Sequence, residues 1–212
     1  GTLCMWAKSD NPEKYEEISS QSLYSCLLTS SNGTDYDIAT VIYQKFKQDF
    51  ICSSIKFKGW YLFKDHRWVK CEEGYLLKMR MSTEMSKEYY KLANDFAQRV
   101  AATTDTDEQE RCVKKRDKFY AIGDKLKKTD FKDKMLKESS LHFFNEKFED
   151  DLLDANTNLL AFQNGVYDLQ NMEFREGHPE DYISFSTKIN YVEYNPDDPF
   201  IEQIMDFMSK VL

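Results

Sequence analysis

Apolar residues recur at helical spacing at Ile38, Val41, Ile42, Phe46 and Phe50, which predicts an amphipathic helix capped by Asp35 or Asp37. The period then changes. Ile55-Lys56-Phe57-Lys58, Gly59, Trp60-Tyr61-Leu62-Phe63 and, after a Lys64-Asp65-His66 turn, Arg67-Trp68-Val69-Lys70-Cys71 read as a small antiparallel meander. From Gly74 to about Ala102 the helical period returns, with Met81, Met85, Tyr89, Leu92, Phe96 and Val100 as its buried stripe. Thr103-Thr104-Asp105-Thr106-Asp107 interrupts it and offers a cap for a helix over about residues 108–128. Thr129 starts a third helix, which carries Phe131, Met135, Leu141, Phe144 and Phe148.

The flanks are written differently. Asp10-Asn11-Pro12 predicts a helix end followed by a turn over residues 5–15, because the residue before proline avoids helical backbone. Residues 19–34 are polar and end in Ser-Ser-Asn-Gly-Thr, the best linker candidate. Beyond an acidic run at residues 149–154, strand and hairpin patterns continue to Tyr194. Asn164-Gly165, between Leu159-Leu160-Ala161-Phe162 and Val166-Tyr167-Asp168-Leu169, is a strong hairpin signal that predicts two residues of positive φ. Asn195-Pro196-Asp197-Asp198-Pro199 breaks the pattern, and a last helix begins at Phe200. The expected class is α+β, predominantly helical: a small meander, central amphipathic helices and C-terminal hairpins.

Composition sharpens this. With 212 residues, 41% of them apolar and 15% aromatic, the chain has material for one or two modest cores. No apolar run approaches the ~20 residues of a membrane span, and no signal-peptide layout opens the chain. The first residue is not methionine and residues 210–212 fall inside an apolar helical pattern, which suggests a piece of a longer protein. Five scattered cysteines without a C-x-x-C pair point to reduced thiols in an intracellular compartment rather than to disulfides or zinc. Net charge is −8, yet residues 111–137 hold eleven Lys/Arg against four Asp, a net of +7 that leaves −15 elsewhere. Such asymmetry points to nucleic acid or to docking between oppositely charged neighbours.

Catalytic patterns are missing. There is no Gly-Lys-Ser/Thr, G-x-G-x-x-G, H-E-x-x-H or G-x-S-x-G. Glu146, Asp150 and Asp154 would share a helix face able to hold magnesium, or form an ordinary solvated acidic face. His66, His142 and His178 stand apart from other ligand types and read as structural. Two features could bind nucleic acid. The first is the basic region, with Lys114, Lys115, Arg116, Lys118, Lys125, Lys127 and Lys128, whose other reading is a solvated helical hairpin. The second is the meander, where Lys56, Lys58, Trp60, Arg67 and Trp68 interleave cations with rings, which either stack on unpaired bases or bury against helices.

Phe162-Gln163-Asn164-Gly165-Val166-Tyr167-Asp168-Leu169, then Phe174-Arg175, then Pro179-Glu180-Asp181-Tyr182-Ile183-Ser184, resembles the signature of the domain that precedes the helicase in primase-helicases. These are the poxvirus-type proteins of giant viruses and other nucleocytoplasmic large DNA viruses, with relatives in phages and plasmids. The Trp60-Tyr61 and Arg67-Trp68-Val69 hairpin followed by helices is similar to that family's order. Gly1-Thr2-Leu3, Trp6-Ala7-Lys8 and Asp10 to Tyr15 resemble the tail of a preceding primase region. Cys4 departs from an expected histidine, and Asn171-Met172 replaces a glycine-containing second turn.

The resemblance implies residues 1–20 as that tail, 21–34 as linker, 35–194 as a collar-like accessory domain and 195–212 as the lead into a superfamily 3 helicase. Phe162, Asn164, Gly165, Val166, Tyr167, Asp168, Asp181 and Tyr182 would be its structural motif, with Asp168 and Asp181 capping local backbone. The implied function is non-catalytic: helping a hexameric ring assemble and single-stranded or forked DNA enter it. ATP and magnesium would belong to the helicase and no cofactor to this piece, which would work in the host cytoplasm or a viral replication compartment. The other readings are a protein scaffold without DNA affinity, and a divalent-metal nuclease or phosphoryl transferase using Glu146, Asp150 and Asp154.

Overall fold

A computed structural model of the chain describes Ala7 and residues 10–211; the expectations resting on residues 1–6, 8, 9 and 212 lie outside them. Ala7 and Asp10 are helical and the Asn11 N–H donates to the Ala7 carbonyl at 3.2 Å, so a helix ends before Asn11 as expected, but a second helix follows it instead of a turn. The Asn11 side-chain oxygen accepts from the Lys14 N–H at 3.0 Å, and Pro12 takes the first helical position of α1 (Pro12–Thr29), where no N–H is needed. Residues 21–34, expected as linker, are the rest of α1 and a 3-10 turn (Ser30–Asn32). Leu27 and Ser30 are buried, and Ser30 Oγ lies 2.9 Å from the Tyr89 hydroxyl. The polar composition misleads because α1 touches the core through few side chains.

Thr34, not an aspartate, caps α2 (Asp35–Phe46), accepting from the Asp37 N–H at 3.2 Å. Ile38, Val41, Ile42 and Phe46 are buried as the spacing predicts, whereas Phe50 enters the core from β1 (Phe50–Ser54). β2 (Gly59–Lys64) and β3 (Arg67–Glu72) complete an antiparallel sheet in the order β1-β2-β3, with Trp60 opposite Cys71. The meander's first strand therefore precedes its expected position. Ile55 to Lys58 are the connecting turn, and alternation of Phe50 and Cys52 into the core sets the strand.

α3 (Tyr75–Arg80), a π turn (Met81–Met85) and α4 (Ser86–Ala102) run in succession, burying Met81, Met85, Tyr89, Leu92 and Phe96. α5 (Thr106–Lys125) packs on α4, capped by Asp105. The two helices come so close that a Cβ on Gly123 would sit 2.5 Å from the Tyr90 ring. α6 (Thr129–Phe143) packs on α2, burying Leu136 and Phe143 and leaving Leu141 and Phe144 62% and 41% exposed. Met135 is buried and Phe131 packs against the core as the spacing predicts, whereas the end of the stripe is out of phase: Phe143, not Phe144, faces the core, and Phe148 does not lie on the helix. Phe148 is fully buried in a π turn (Phe148–Leu152) after α6 has ended.

A second antiparallel sheet, β4 (Leu159–Phe162), β5 (Gly165–Asp168) and β6 (Glu173–Arg175), packs Ala161 and Val166 against Ile183 in a separate small core. Its turn differs from the expectation. Phe162 pairs with Gly165, so Gln163 and Asn164 are the loop and only Gly165 has positive φ, at 158°. A Cβ there would meet the Arg175 carbonyl at 2.5 Å. Asn164 acts through its amide, donating to the Tyr191 carbonyl at 3.0 Å and accepting from the Tyr191 N–H at 2.8 Å. Tyr191 is thereby laid on Phe174, with ring centroids 4.3 Å apart.

The glycine missing from the second turn has a visible consequence. Met172 holds φ of 55° with 70% of its surface exposed. Left-handed backbone disfavours a β-carbon by roughly 1–2 kcal/mol, partly offset by glycine's larger unfolded entropy. Met172→Gly is expected to stabilise the chain by about 0.5–1 kcal/mol in urea unfolding; a loss of stability would refute the account. The chain ends in α7 (Pro199–Val211), no residue of which is buried. Two three-stranded antiparallel sheets among many helices make the fold α+β and predominantly helical. Among the described residues no helix is long and apolar enough to cross a membrane.

Candidate nucleic-acid interface

α5 exposes its cations as a stripe. Cys112, Phe119, Ile122 and Gly123 face the core, and Arg111, Lys114, Lys115, Lys118 and Lys125 recur three, four or seven residues apart along one flank. Asp117 and Asp124 lie on the other flank, where Asp124 accepts from the Tyr90 hydroxyl at 2.7 Å. Over fourteen residues the stripe is about 21 Å long. Lys127 and Lys128 extend it through the turn into α6, Lys127 sitting 4.6 Å over the Tyr90 ring.

The candidate cations are not equivalent. Lys114 faces Glu110 at 3.6 Å and Arg116 pairs with Asp117 at 2.8 Å. Among the described residues Lys115, Lys118, Lys125, Lys127 and Lys128 form no ion pair and are exposed. An unpaired exposed ammonium attracts a phosphate without first losing a carboxylate partner, so these five are the stronger candidates of the seven.

The meander does not present a stacking platform. Trp60 and Trp68 are each 2% exposed. Trp60 packs on Phe143, and Trp68 packs between Phe63 and Phe148 while its Nε1–H donates to the Pro179 carbonyl at 2.7 Å. Arg67 is half-buried beside it. Lys56 and Lys58 stay exposed in the β1–β2 turn, Lys58 3.5 Å from Glu73. The sheet buries its rings against the helices, the usual fate of aromatics on a small sheet.

The acidic face also dissolves. α6 stops at Phe143, so Glu146, Asp150 and Asp154 do not share a helix. Asp154 accepts from the Ser184 N–H at 2.7 Å and from its hydroxyl, and Glu149 accepts from the Ser53 hydroxyl at 3.0 Å. Among the described residues no group of three or more His, Cys, Asp or Glu could hold a metal ion. The magnesium reading therefore loses its premise.

The motif residues serve the second sheet. Phe162 and Tyr167 pack around Tyr191 at 5.4 Å each, and Val166 is fully buried. Asp168 Oδ1 accepts from the N–H groups of Gln170 and Asn171, and Oδ2 accepts from the Asn171 amide. Asp181 accepts from the His178 N–H at 2.7 Å and also forks with Arg175 through two 2.8 Å bonds. Backbone capping is thus seen for both, with a bidentate ion pair that sequence reasoning missed.

The Asn171 N–H, above all, holds the Asp168 carboxyl below the usual range; the Asn171 amide, the Gln170 N–H and Arg175 act the same way against partial desolvation. A depressed folded pKa stabilises above the unfolded value near ~3.9, and that stability is lost as pH falls through the folded value. Thermal melts between about pH 5 and pH 2 are expected to show a steeper decline for the native chain than for Asp168→Asn. Parallel curves would remove Asp168 from the acid response.

A groove also lies between the helical lobe and the 3-10 turn (Pro179–Asp181), where Tyr43, Lys47, His142, Phe144 and Asn145 line it together with Glu180 and Tyr182. It draws on four separated segments, so no local pattern announces it.

Taken together, the chain is a mainly helical α+β module with a cationic stripe on an acidic body. It belongs to the family described as D5 N terminal like, whose profile matches residues 39–210. The resemblance drawn from the Phe162 to Asp168 motif holds at that level. Over 99% of its length the chain is 29% identical to a protein of Acanthamoeba polyphaga mimivirus named "Putative helicase L207/L206", of which it covers 22%. It is 28% identical over its full length to "Putative helicase 121R" of Invertebrate iridescent virus 3, covering 26% of that protein. It is 23% identical to "Putative primase C962R" of African swine fever virus, covering 24%. The chain thus spans about a quarter of the relatives it matches.

Proposed function

We propose that this chain is the non-catalytic, DNA-binding and self-associating module of a viral DNA-replication protein that carries helicase and primase activity elsewhere. The observation that carries the reading is the row of unpaired lysines along α5 and into α6, on a protein of net charge −8. On an acidic body such a row concentrates phosphate attraction on one flank, which suits a single or forked strand. The family and the names of its relatives support the replication setting. ATP and magnesium belong, on this reading, to the helicase part, and the module works where the viral genome is copied.

Self-association draws support from α7, which leaves Phe200, Ile204, Phe207 and Val211 exposed on an amphipathic helix, an apolar face fitted to another protein surface. Anisotropy of a labelled single-stranded oligonucleotide over a salt series tests the reading. Log affinity is expected to fall with log salt at about 0.7 per lysine engaged. Concentration-dependent assembly by sedimentation without oligonucleotide affinity would instead leave a protein scaffold.

A further inference from the structure

The groove beside the 3-10 turn (Pro179–Asp181) has features that ordinary packing does not require. Its walls carry flat rings at different levels of exposure: Tyr43 and Tyr182 are half-buried, and Phe144 is 41% exposed. His142 is held between the rings of Tyr36 at 5.2 Å and Tyr43 at 5.9 Å. Tyr182 is held at φ of 50°, a conformation a bulky residue rarely adopts, with its N–H on the Pro179 carbonyl and its carbonyl accepting from the Asp154 N–H at 2.7 Å. Backbone strain of this sort gathers where a side chain must be aimed. Lys47 stands exposed on the rim, its ammonium donating to the Gln44 amide oxygen at 2.9 Å.

The groove is also joined to the lysine stripe. α6 begins beside Lys127 and Lys128 and ends at Phe143, next to His142 and Phe144, a span of about 22 Å. Its exposed face carries Lys134, Lys137 and Leu141 in turn. Lys134 is tied to Asp35 at 2.6 Å, whereas Lys137 forms no ion pair among the described residues. Phe144 follows that face, its place fixed by the neighbouring Asn145 N–H, which donates to the Cys52 carbonyl at 2.9 Å.

We infer that this groove receives an unpaired base of a single strand whose phosphates run from the α5 stripe along the exposed face of α6. The inference rests on the DNA-binding reading and adds a site to it. Stacking on Phe144 and Tyr43 is tolerant of sequence because every base has a π face. Lys47 meets the last phosphate. Lys47 on the rim and Lys137 on the exposed face of α6 match a phosphate backbone rather than an apolar protein segment, so a base is the better occupant.

Photo-crosslinking of the whole chain to a single-stranded oligonucleotide carrying 5-iodouracil, with the sites mapped by mass spectrometry, tests this directly. Crosslinks are expected at Tyr43, Phe144 or Tyr182. Phe144→Ala is expected to weaken oligonucleotide binding about tenfold without changing the salt slope, and Phe144→Trp to preserve it. Phe144 is exposed enough for both variants to fold, which circular dichroism checks. Binding with a normal salt slope, no crosslink in the groove and no effect of Phe144→Ala would overturn the groove alone. Absence of oligonucleotide binding by the native chain would overturn the DNA reading and the groove with it. Groove variants that change sedimentation but not oligonucleotide affinity would assign the groove to a protein and refute the base.

Discussion

Replacing Lys115, Lys118, Lys125 and Lys127 together by alanine is expected to weaken single-stranded DNA binding roughly 10²–10³-fold at about 0.1 M salt. Each lysine on a single-strand phosphate contributes about 0.7 to the slope of log affinity against log salt, so four contacts carry nearly three decades between ~0.1 M and ~1 M. The slope itself should fall by roughly 2–3. The fold should survive. None of the four makes an ion pair among the described residues, all are exposed, and alanine is the best helix former for the three on α5. What is lost structurally is limited to weak contacts of Lys115 over Phe96, Lys125 over Phe131 and Lys127 over Tyr90. Lys114→Ala with Arg116→Ala is the informative comparison. Those cations already face Glu110 and Asp117, so the pair should lower affinity less than any two of the unpaired lysines. An unchanged salt slope in the fourfold variant would place DNA contact off α5.

How far the chain could be read in advance follows from how local each feature is. Long helices with apolar residues every three or four positions were legible: the stripe from Met81 to Phe96 and the buried set of α2 are where the period puts them. The basic stripe was legible as composition, since eleven cations within residues 111–137 need no fold to be counted. Their division into paired and unpaired was not, because Glu110 and Asp117 matter only once the helix sets which neighbours face each other. Pro12 was half legible: the helix before it ends at Asp10 as the rule for the residue before proline requires, but proline also suits the first position of a new helix, which takes the place of the expected turn. The Asn164-Gly165 turn showed the limits of a dipeptide rule. Pairing of Phe162 with Gly165 shifts the loop by one residue and frees the Asn164 amide to hold Tyr191, twenty-seven residues away. Such a partner is invisible along the chain, as is the groove, whose rings come from α2, the end of α6 and the 3-10 turn (Pro179–Asp181) near Tyr182.

Phe148 is the residue through which the first sheet and the segment that follows the second sheet hold each other. It is fully buried outside any regular element, and its ring meets Tyr61 at 4.9 Å, Trp68 at 5.5 Å and Tyr182 at 6.1 Å. Around it the join includes the Trp68 N–H to the Ile183 carbonyl at 2.7 Å, the Trp68 Nε1–H to the Pro179 carbonyl at 2.7 Å and the Gly177 N–H to His66 Nδ1 at 3.1 Å. Among the described residues the sheet's buried core is Ala161, Val166 and Ile183, with Leu159 against it and the Phe162, Phe174 and Tyr191 rings at the surface, little apolar material to stand alone. Phe148→Ala is therefore expected to cost about 3–5 kcal/mol, a large part of the 5–15 kcal/mol typical of a domain. The loss should be uneven. Hydrogen exchange should accelerate through residues 154–191 while α2, α4 and α6, which share the buried cluster that holds Phe46, Tyr89 and Phe143, keep their protection. Denaturant unfolding followed by helix content should then stay cooperative while tyrosine fluorescence from the second sheet changes earlier. If protection fell equally in both lobes, the sheet would have to be an integral part of the helical core, and the groove would lose the two-lobed frame on which a strand is proposed to lie.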